Sequence, residues 1–252
     1  CAYAKRYWDD LHRTWPYMAG GPYRLNLPLY HLPDLGLLVV RHASGEPMLE
    51  RIWQSEKDQR FSMIPGAVHW LRHYTKPMER RGPMRAASWL SKAEKRISKQ
   101  GSARIRPLLA ETRAHLHRLL PAMAGHDWRV SISHGDFHPN NLLVDDDILT
   151  GIDTGGSAKL PIYKDMARFI THMGRRGLHP SGDARFGVDR GTIDLFCDVF
   201  QLDTHERELC LPFMIGVEGL LRSDTQDLNR SRLRRTQSFY EGMARDLAAI
   251  TH

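Results

Sequence analysis

Residues 134–153 read HGDFHPNNLLVDDDILTGID, and three oxygen-bearing side chains in this stretch are spaced for chemistry. Two apolar runs, LLV and ILTGI, flank Asp145, Asp146 and Asp147. Short polar side chains tolerate turn geometry, so the pattern predicts a β-hairpin. Folding the chain about Asp147 predicts that Asn141 and Asp153, six positions to either side, meet at the open end. Directly opposed Cβ atoms in such a pair lie about 5 Å apart. One amide oxygen and one carboxylate suit a hard cation such as Mg²⁺, which takes few protein ligands and completes its shell with water and phosphate oxygens. Asp136, five residues before Asn141 on the loop that feeds the hairpin, is then a carboxylate free to accept a proton from an attacking hydroxyl. Positioning, charge neutralisation and a base are what phosphoryl transfer requires of a protein. Gly135 permits backbone angles closed to other residues, and His134, grouped with Asp136 as a candidate catalytic residue, is expected to hydrogen-bond the loop.

A competing reading takes His134, Asp136 and His138 as donors to zinc, because alternate residues on an extended loop share a face. It leaves Asn141 and Asp153 without a task, and His138 reads better as a loop-packing histidine. An HGD tripeptide alone says little. A base, an amide, a hairpin and a second carboxylate in register say much more.

The elements that must position these groups follow from periodicity. Ala2 to Trp15 has a helical pattern with Tyr3, Tyr7, Leu11 and Trp15 on one face, and Pro16, Gly20, Gly21 and Pro22 are expected to end it in a loop. GGPYRLNLP reads as a plain connection, and Leu35 to Arg41 as a buried strand. Helices are expected over 61–74, 85–98 and through SARIRPLLAETRAHLHRLLPAM, with Pro107 in a first turn where proline is tolerated. Val130 to Ser133 is a strand leading into the loop, and helices are expected over about 164–174, 189–201, 204–222 and 229–250. Asp203 and Glu206 have the spacing of a capping box for the third of these. The sum is an α+β chain, mostly helical, with one small catalytic hairpin.

HGDFHPNNLLV…ILTGID resembles the catalytic loop and metal hairpin of the aminoglycoside phosphotransferase and choline kinase-like family, which has the protein-kinase-like fold. The resemblance implies Asp136 as the catalytic base, Asn141 and Asp153 as Mg²⁺ ligands, and ATP as phosphate donor. PIYKDMARF is similar to the segment in which an aspartate opens a helix and buttresses the catalytic loop, which implies that role for Asp165. LGLLVVRHASGEPM matches more loosely as the strand and hinge between lobes, with the backbone of Arg41, His42 and Ala43 meeting adenine. On this reading residues 1–43 are the remainder of an N-terminal lobe and hinge, and residues 44–252 a helical C-terminal lobe. Ahead of the hinge strand the chain shows neither a glycine-rich phosphate loop nor a strand lysine paired with a helix glutamate. The expectation is a chain that enters the small lobe midway. The rival is a pseudokinase or nucleotide-binding scaffold with a decayed site. Thr154 and the two glycines after it stand where many relatives have an aromatic and an acid.

Composition sets the outer bounds. With 252 residues, 41% of them hydrophobic and 26% charged, the chain can bury a sizeable core. No secretory signal or membrane span is read, and Cys1, Cys197 and Cys210 form no disulfide framework, which together point to the cytoplasm. The formal charge of +7 favours an anionic partner. The basic stretch from Lys92 to Arg118 lacks interleaved aromatics, so it reads as a solvated face rather than a nucleic-acid surface. Lys159 reads as a surface lysine, Cys197 and Cys210 as buried, and Trp70 and Trp89 as core. Glu218, Asp224 and Asp227 are candidates to line an acceptor pocket. The expected partner is a small hydroxylated substrate, with no nucleic acid and no membrane.

Overall fold

Nine helices and eleven strands are the elements used below. In chain order they are α1 (Ala2–Met18), β1 (Tyr23–Leu25), β2 (Pro28–Leu32), β3 (Leu37–Val40), β4 (Glu46–Pro47), α2 (Met48–Gln54), α3 (Ile64–Thr75), β5 (Arg80–Pro83), α4 (Ala86–Ile97) and α5 (Arg106–Met123). Then come β6 (Asp127–Ser133), β7 (Leu142–Asp145), β8 (Ile148–Gly151), β9 (Ala158–Pro161), α6 (Ile162–Gly174), β10 (Ala184–Arg185), β11 (Val188–Asp189), α7 (Arg190–Val199), α8 (Leu211–Leu221) and α9 (Arg230–Ala249). The computed structural model describes residues 2–83, 85–97, 103–154, 158–223 and 228–251. Cys1, Ser98, Gly155, Gly156, Asp224 and Asp227, and the side chain of Tyr3, lie outside the described residues. The chain divides into two compact units, one of 1–80 and 129–165, the other of 81–128 and 166–252.

The first unit is built on a four-stranded sheet of order β1-β8-β7-β4, in which β1 runs parallel to β8 and the other pairs are antiparallel. Tyr23–Leu25 is therefore a strand and not the plain connection that its flanking glycines and prolines suggested, because its backbone groups find partners on β8. Helix α3 buries Ile64, Ala67, Val68, Trp70, Leu71 and Tyr74, a stripe with helical spacing. Helix α1 continues through Pro16 to Met18. Leu11, Thr14 and Met18 are all buried on one stripe, and that packing outweighs the backbone bond that the proline removes.

The apolar run 35–40 contains a strand, but not a buried one. β3 pairs with β2 in a two-stranded antiparallel hairpin. Register puts Tyr30, Leu32, Leu37 and Val39 on one face, all exposed, with Leu35 at the turn 70% exposed. The other face carries His31, whose ring stacks on Trp8 of α1 at 5.8 Å between centroids.

The second unit is helical. Helix α8 is apolar on every side apart from Glu218 and is buried from Leu211 to Leu220, as befits a central helix, and α4 and α5 both pack on it. The capping box forms: Asp203 N–H donates to Glu206 Oε2 and Glu206 N–H to Asp203 Oδ1, both at 2.9 Å. The helix it opens begins with a π-turn over Glu206–Cys210 before α8. Cys197 and Cys210 are buried, and burial pushes their thiols up to about 11 and about 12. Trp70 is fully buried, whereas Trp89 is half-buried under the ammonium of Lys92. Glu218 is a core carboxylate, 0% exposed. It is buried in α8 beside Arg168 and accepts from Arg222 Nε at 3.1 Å. Among the described residues no helix is long and apolar enough to cross a membrane.

Candidate active site

The site lies wholly in the first unit. β6 delivers the chain to His134, the loop 134–141 follows, and β7 and β8 form the predicted hairpin. Its register differs from the reflection about Asp147 by one residue. Asp145 pairs with Ile148 and Leu142 with Gly151, so Asn141 falls opposite Ile152, not Asp153. The cause is the turn, which uses only Asp146 and Asp147, with Asp146 at φ 50°. Two-residue turns with a positive φ at the first central position match the right-handed twist of the flanking strands. Ile152 N–H donates to Asn141 O at 3.0 Å, and Asp153 is the next residue, held in the left-handed region at φ 58°. Non-glycine residues rarely sit there, and such strain concentrates at functional sites.

Asp136, Asn141 and Asp153 come together despite the shift. Asn141 Nδ2 donates to the Asp136 carbonyl at 3.0 Å, which leaves Asn141 Oδ1 as an acceptor facing elsewhere. Burial first, and then the nearby Asp136 carboxylate, raise the Asp153 carboxyl above its ordinary pKa. The two carboxylates therefore share one electrostatic environment, against which His138 acts in the opposite sense. His138 Nε2 lies 3.3 Å from Asp136 Oδ2, and the Asp136 side chain is 37% exposed, open to solvent rather than sealed. These are hard oxygen donors of the kind a magnesium ion takes. Among the described residues no three His, Cys, Asp or Glu side chains are grouped to hold a metal, which removes the support for a zinc reading of His134, Asp136 and His138.

The loop is fixed from two sides. Asp165, 1% exposed near the start of α6, accepts the His134 N–H at 2.6 Å and the Gly135 N–H at 3.1 Å, one on each carboxylate oxygen. Gly135 is at φ 87°, which only glycine adopts without strain. Its carbonyl accepts from Lys164 Nζ at 2.9 Å. On the opposite side the buried Trp70 indole of α3 stacks on Phe137 at 5.6 Å and on Tyr74 at 5.1 Å. The His134 ring is fully buried beside Trp70 and Phe137, and burial, with His138, lowers its pKa to about 4. Its backbone, through the N–H to Asp165, makes the contact that positions the loop.

Arg41, His42 and Ala43 line a cavity of about 220 Å³ together with Leu25, Ile148 and Thr150. Arg41 N–H donates to Leu27 O at 2.7 Å. Gly45, at φ 105°, brings the backbone so close to β7 that a Cβ would stand 2.6 Å from Val144 O. Ser44 Oγ donates to Asp145, so the segment after β3 is tied directly to the hairpin turn.

A family model described as "Phosphotransferase enzyme family" matches residues 38–195, more than half of the chain, and takes in the loop, the hairpin and Asp165. The chain belongs to that family. Its fold is the protein-kinase-like fold of phosphotransferases. An ADP-bound aminoglycoside phosphotransferase superposes with TM-score 0.52 at 9% identity, over 97% of this chain and 83% of the other. A choline/ethanolamine kinase family protein from Mesorhizobium loti gives 0.53 at 15%, over 90% and 78%. An aminoglycoside phosphotransferase from Alicyclobacillus acidocaldarius gives 0.56 at 13%, over 99% and 82%. No curated protein sequence matches the chain.

Three residues of this phosphotransferase's site escaped the sequence reading. Trp70 was read only as core, yet its Nε1 also donates to Arg24 O at 2.9 Å, tying α3 to β1 beneath the loop. Gly151 admits the Trp70 ring: a Cβ there would lie 2.1 Å from it. Lys164 carries a buried charge against the loop carbonyl. Only the lysine left a signal, as a charged residue beside Asp165 in an otherwise apolar turn.

Proposed function

We propose that this phosphotransferase is a small-molecule kinase that moves the γ-phosphate of ATP to a hydroxyl group. The observation that carries the reading is the convergence of Asp136, Asn141 and Asp153 on one loop and hairpin. Asp136, part-exposed and steadied by His138, orients the acceptor hydroxyl and takes up its proton as the oxygen attacks. Asn141 Oδ1 and the Asp153 carboxylate would hold Mg²⁺, and their hard oxygens fit it. The ion supplies neutralisation of charge on the phosphates and eases the Asp136–Asp153 repulsion. Asp165 holds the His134 and Gly135 amides, so the base does not drift, and positioning of this sort supplies much of such catalysis. The backbone at Arg41, His42 and Ala43, on the wall of the 220 Å³ cavity, offers the adenine its hydrogen-bonding edge.

The reading is tested with ATP labelled at the γ-phosphate and a panel of hydroxylated small molecules: sugars, amino alcohols and amino sugars. Label should move to at least one acceptor, and Asp136→Asn should slow that transfer about 10²–10⁴-fold, the usual worth of a positioned base. Asp136 is part-exposed, so the variant should keep its fold. Equal turnover in the two proteins removes Asp136 from its role. Nucleotide binding without transfer to any acceptor favours the scaffold reading.

A further inference from the structure

The catalytic hairpin has two faces, and only one looks toward the cavity lined by Arg41, His42 and Ala43. Asp145 and Thr150 line that cavity, and Ile148, next to the turn, borders both it and the one described next. On the other, beneath the turn, lies a second and larger cavity of about 350 Å³, also wholly within the first unit. Its walls come from the start of β1, from α2, from the entry to α3 and from the hairpin turn.

The lining separates by chemistry. Tyr23, Met48, Met63 and Leu149 make an apolar floor. Two of the four are methionines, whose unbranched side chains reshape easily around a ligand. Arg51, Asp146 and Asp147 stand among the lining groups nearer solvent. None of the three has an ion pair or side-chain hydrogen bond among the described residues. Two carboxylates against one guanidinium give the mouth a net negative charge, in a chain whose formal charge is +7. The volume and the mainly apolar wall with a few polar groups match those of small-molecule sites. The two-residue turn holds the Asp146 backbone at φ 50°, so the feature that sets the hairpin register also brings Asp146 and Asp147 to this mouth.

We propose that this cavity is a second small-molecule site, taking a compound with one apolar ring and a short arm ending in a cationic amine. The ring lies on the methionine and tyrosine floor, and the ammonium sits between Asp146 and Asp147. The hairpin belongs to both sites: its turn closes this cavity, and its open end presents Asn141 and Asp153. The proposal is independent of the catalytic reading, because binding is measured without nucleotide.

The probe is 2-phenylethylamine, titrated into the intact chain and followed by calorimetry and by ¹⁵N-resolved NMR of the backbone amides. Shift changes are expected at Tyr23, Gly66 and 146–149. 3-Phenylpropionate, with the same ring and the opposite charge, should bind at least tenfold more weakly. Asp146→Lys together with Asp147→Lys, both at exposed positions, should invert that preference. Met63→Trp puts an indole into the apolar floor and should weaken binding of both probes; should it fail to fold, the charge-inverted variant still decides the matter. Absence of shifts at these residues at millimolar amine overturns the proposal. So does an unchanged amine-over-acid preference in the doubly substituted protein.

Discussion

Asp165 offers the sharpest quantitative test, since it accepts two backbone N–H groups that have few other places to turn. The perturbation is Asp165→Ala. It deletes both acceptors, at 2.6 and 3.1 Å, from a position that is 1% exposed. A hydrogen bond to a charged group contributes about 1.5–3 kcal/mol, and a buried donor left unmade costs a comparable amount. Two such bonds give an expected loss of about 3–6 kcal/mol if water cannot enter, and about half that if it can. Asp165→Asn keeps one acceptor oxygen and turns an amide group toward the other N–H, so it should cost about half as much as the alanine variant. Urea denaturation measures the totals, with unchanged slope showing that only stability has moved. Amide hydrogen exchange localises the effect. A local loss of about 3 kcal/mol corresponds to roughly hundredfold faster exchange at His134 and Gly135. Amides of α9, in the other unit, should exchange at unchanged relative rates. Both variants within 0.5 kcal/mol of the parent, with His134 and Gly135 still protected, would refute the claim that this carboxylate holds the loop.

Two further outcomes follow from the same packing. Gly151→Ala places a methyl group 2.1 Å from the buried Trp70 ring, so it should destabilise the protein by about 1–3 kcal/mol as the indole is forced off Phe137. Near-UV circular dichroism and denaturation would detect this, and a neutral result contradicts the packing described. His134 should make stability fall in mild acid. The unfolded imidazole takes up a proton below its ordinary value of 6.5, but the buried one resists until about 4. Its contribution is therefore complete above about pH 6.5 and disappears as the pH drops toward 4, a change of about 3 kcal/mol. Denaturation midpoints between these limits should show the slope in the parent and lose it in His134→Phe.

Much of this was readable from residue types, and the rest depended on geometry that types do not encode. The aspartate run gave the hairpin because turns accept short polar side chains, and Asp203 with Glu206 gave a helix start through a local, reciprocal pair of hydrogen bonds. Register was missed by one position. A reflection point on a residue and one between two residues leave nearly the same sequence pattern, and only the backbone angle of Asp146 separates them. Strand β1 was missed since its partner, β8, lies more than a hundred residues away, and nothing local announces a parallel pairing. The apolar residues of β3 satisfied every strand preference, but hydrophobicity cannot say what covers a strand, and here one face is exposed. Helix α1 passed through Pro16 because contacts beyond the helix decided the matter. The loop 134–141 stood out by its residue types, whereas its support, Trp70 over Gly151, is a fit of shapes between α3 and β8 that a sequence does not display.

The central claim is that Asn141 and Asp153 form the oxygen site that couples a divalent ion to nucleotide. Isothermal calorimetry of ATP binding, with and without Mg²⁺, tests it most directly on the parent chain and on Asn141→Ala and Asp153→Asn. Mg²⁺ should tighten ATP binding in the parent, and either substitution should remove most of this magnesium-dependent gain while leaving the fold unchanged. Magnesium-dependent binding of equal strength in all three proteins would contradict it.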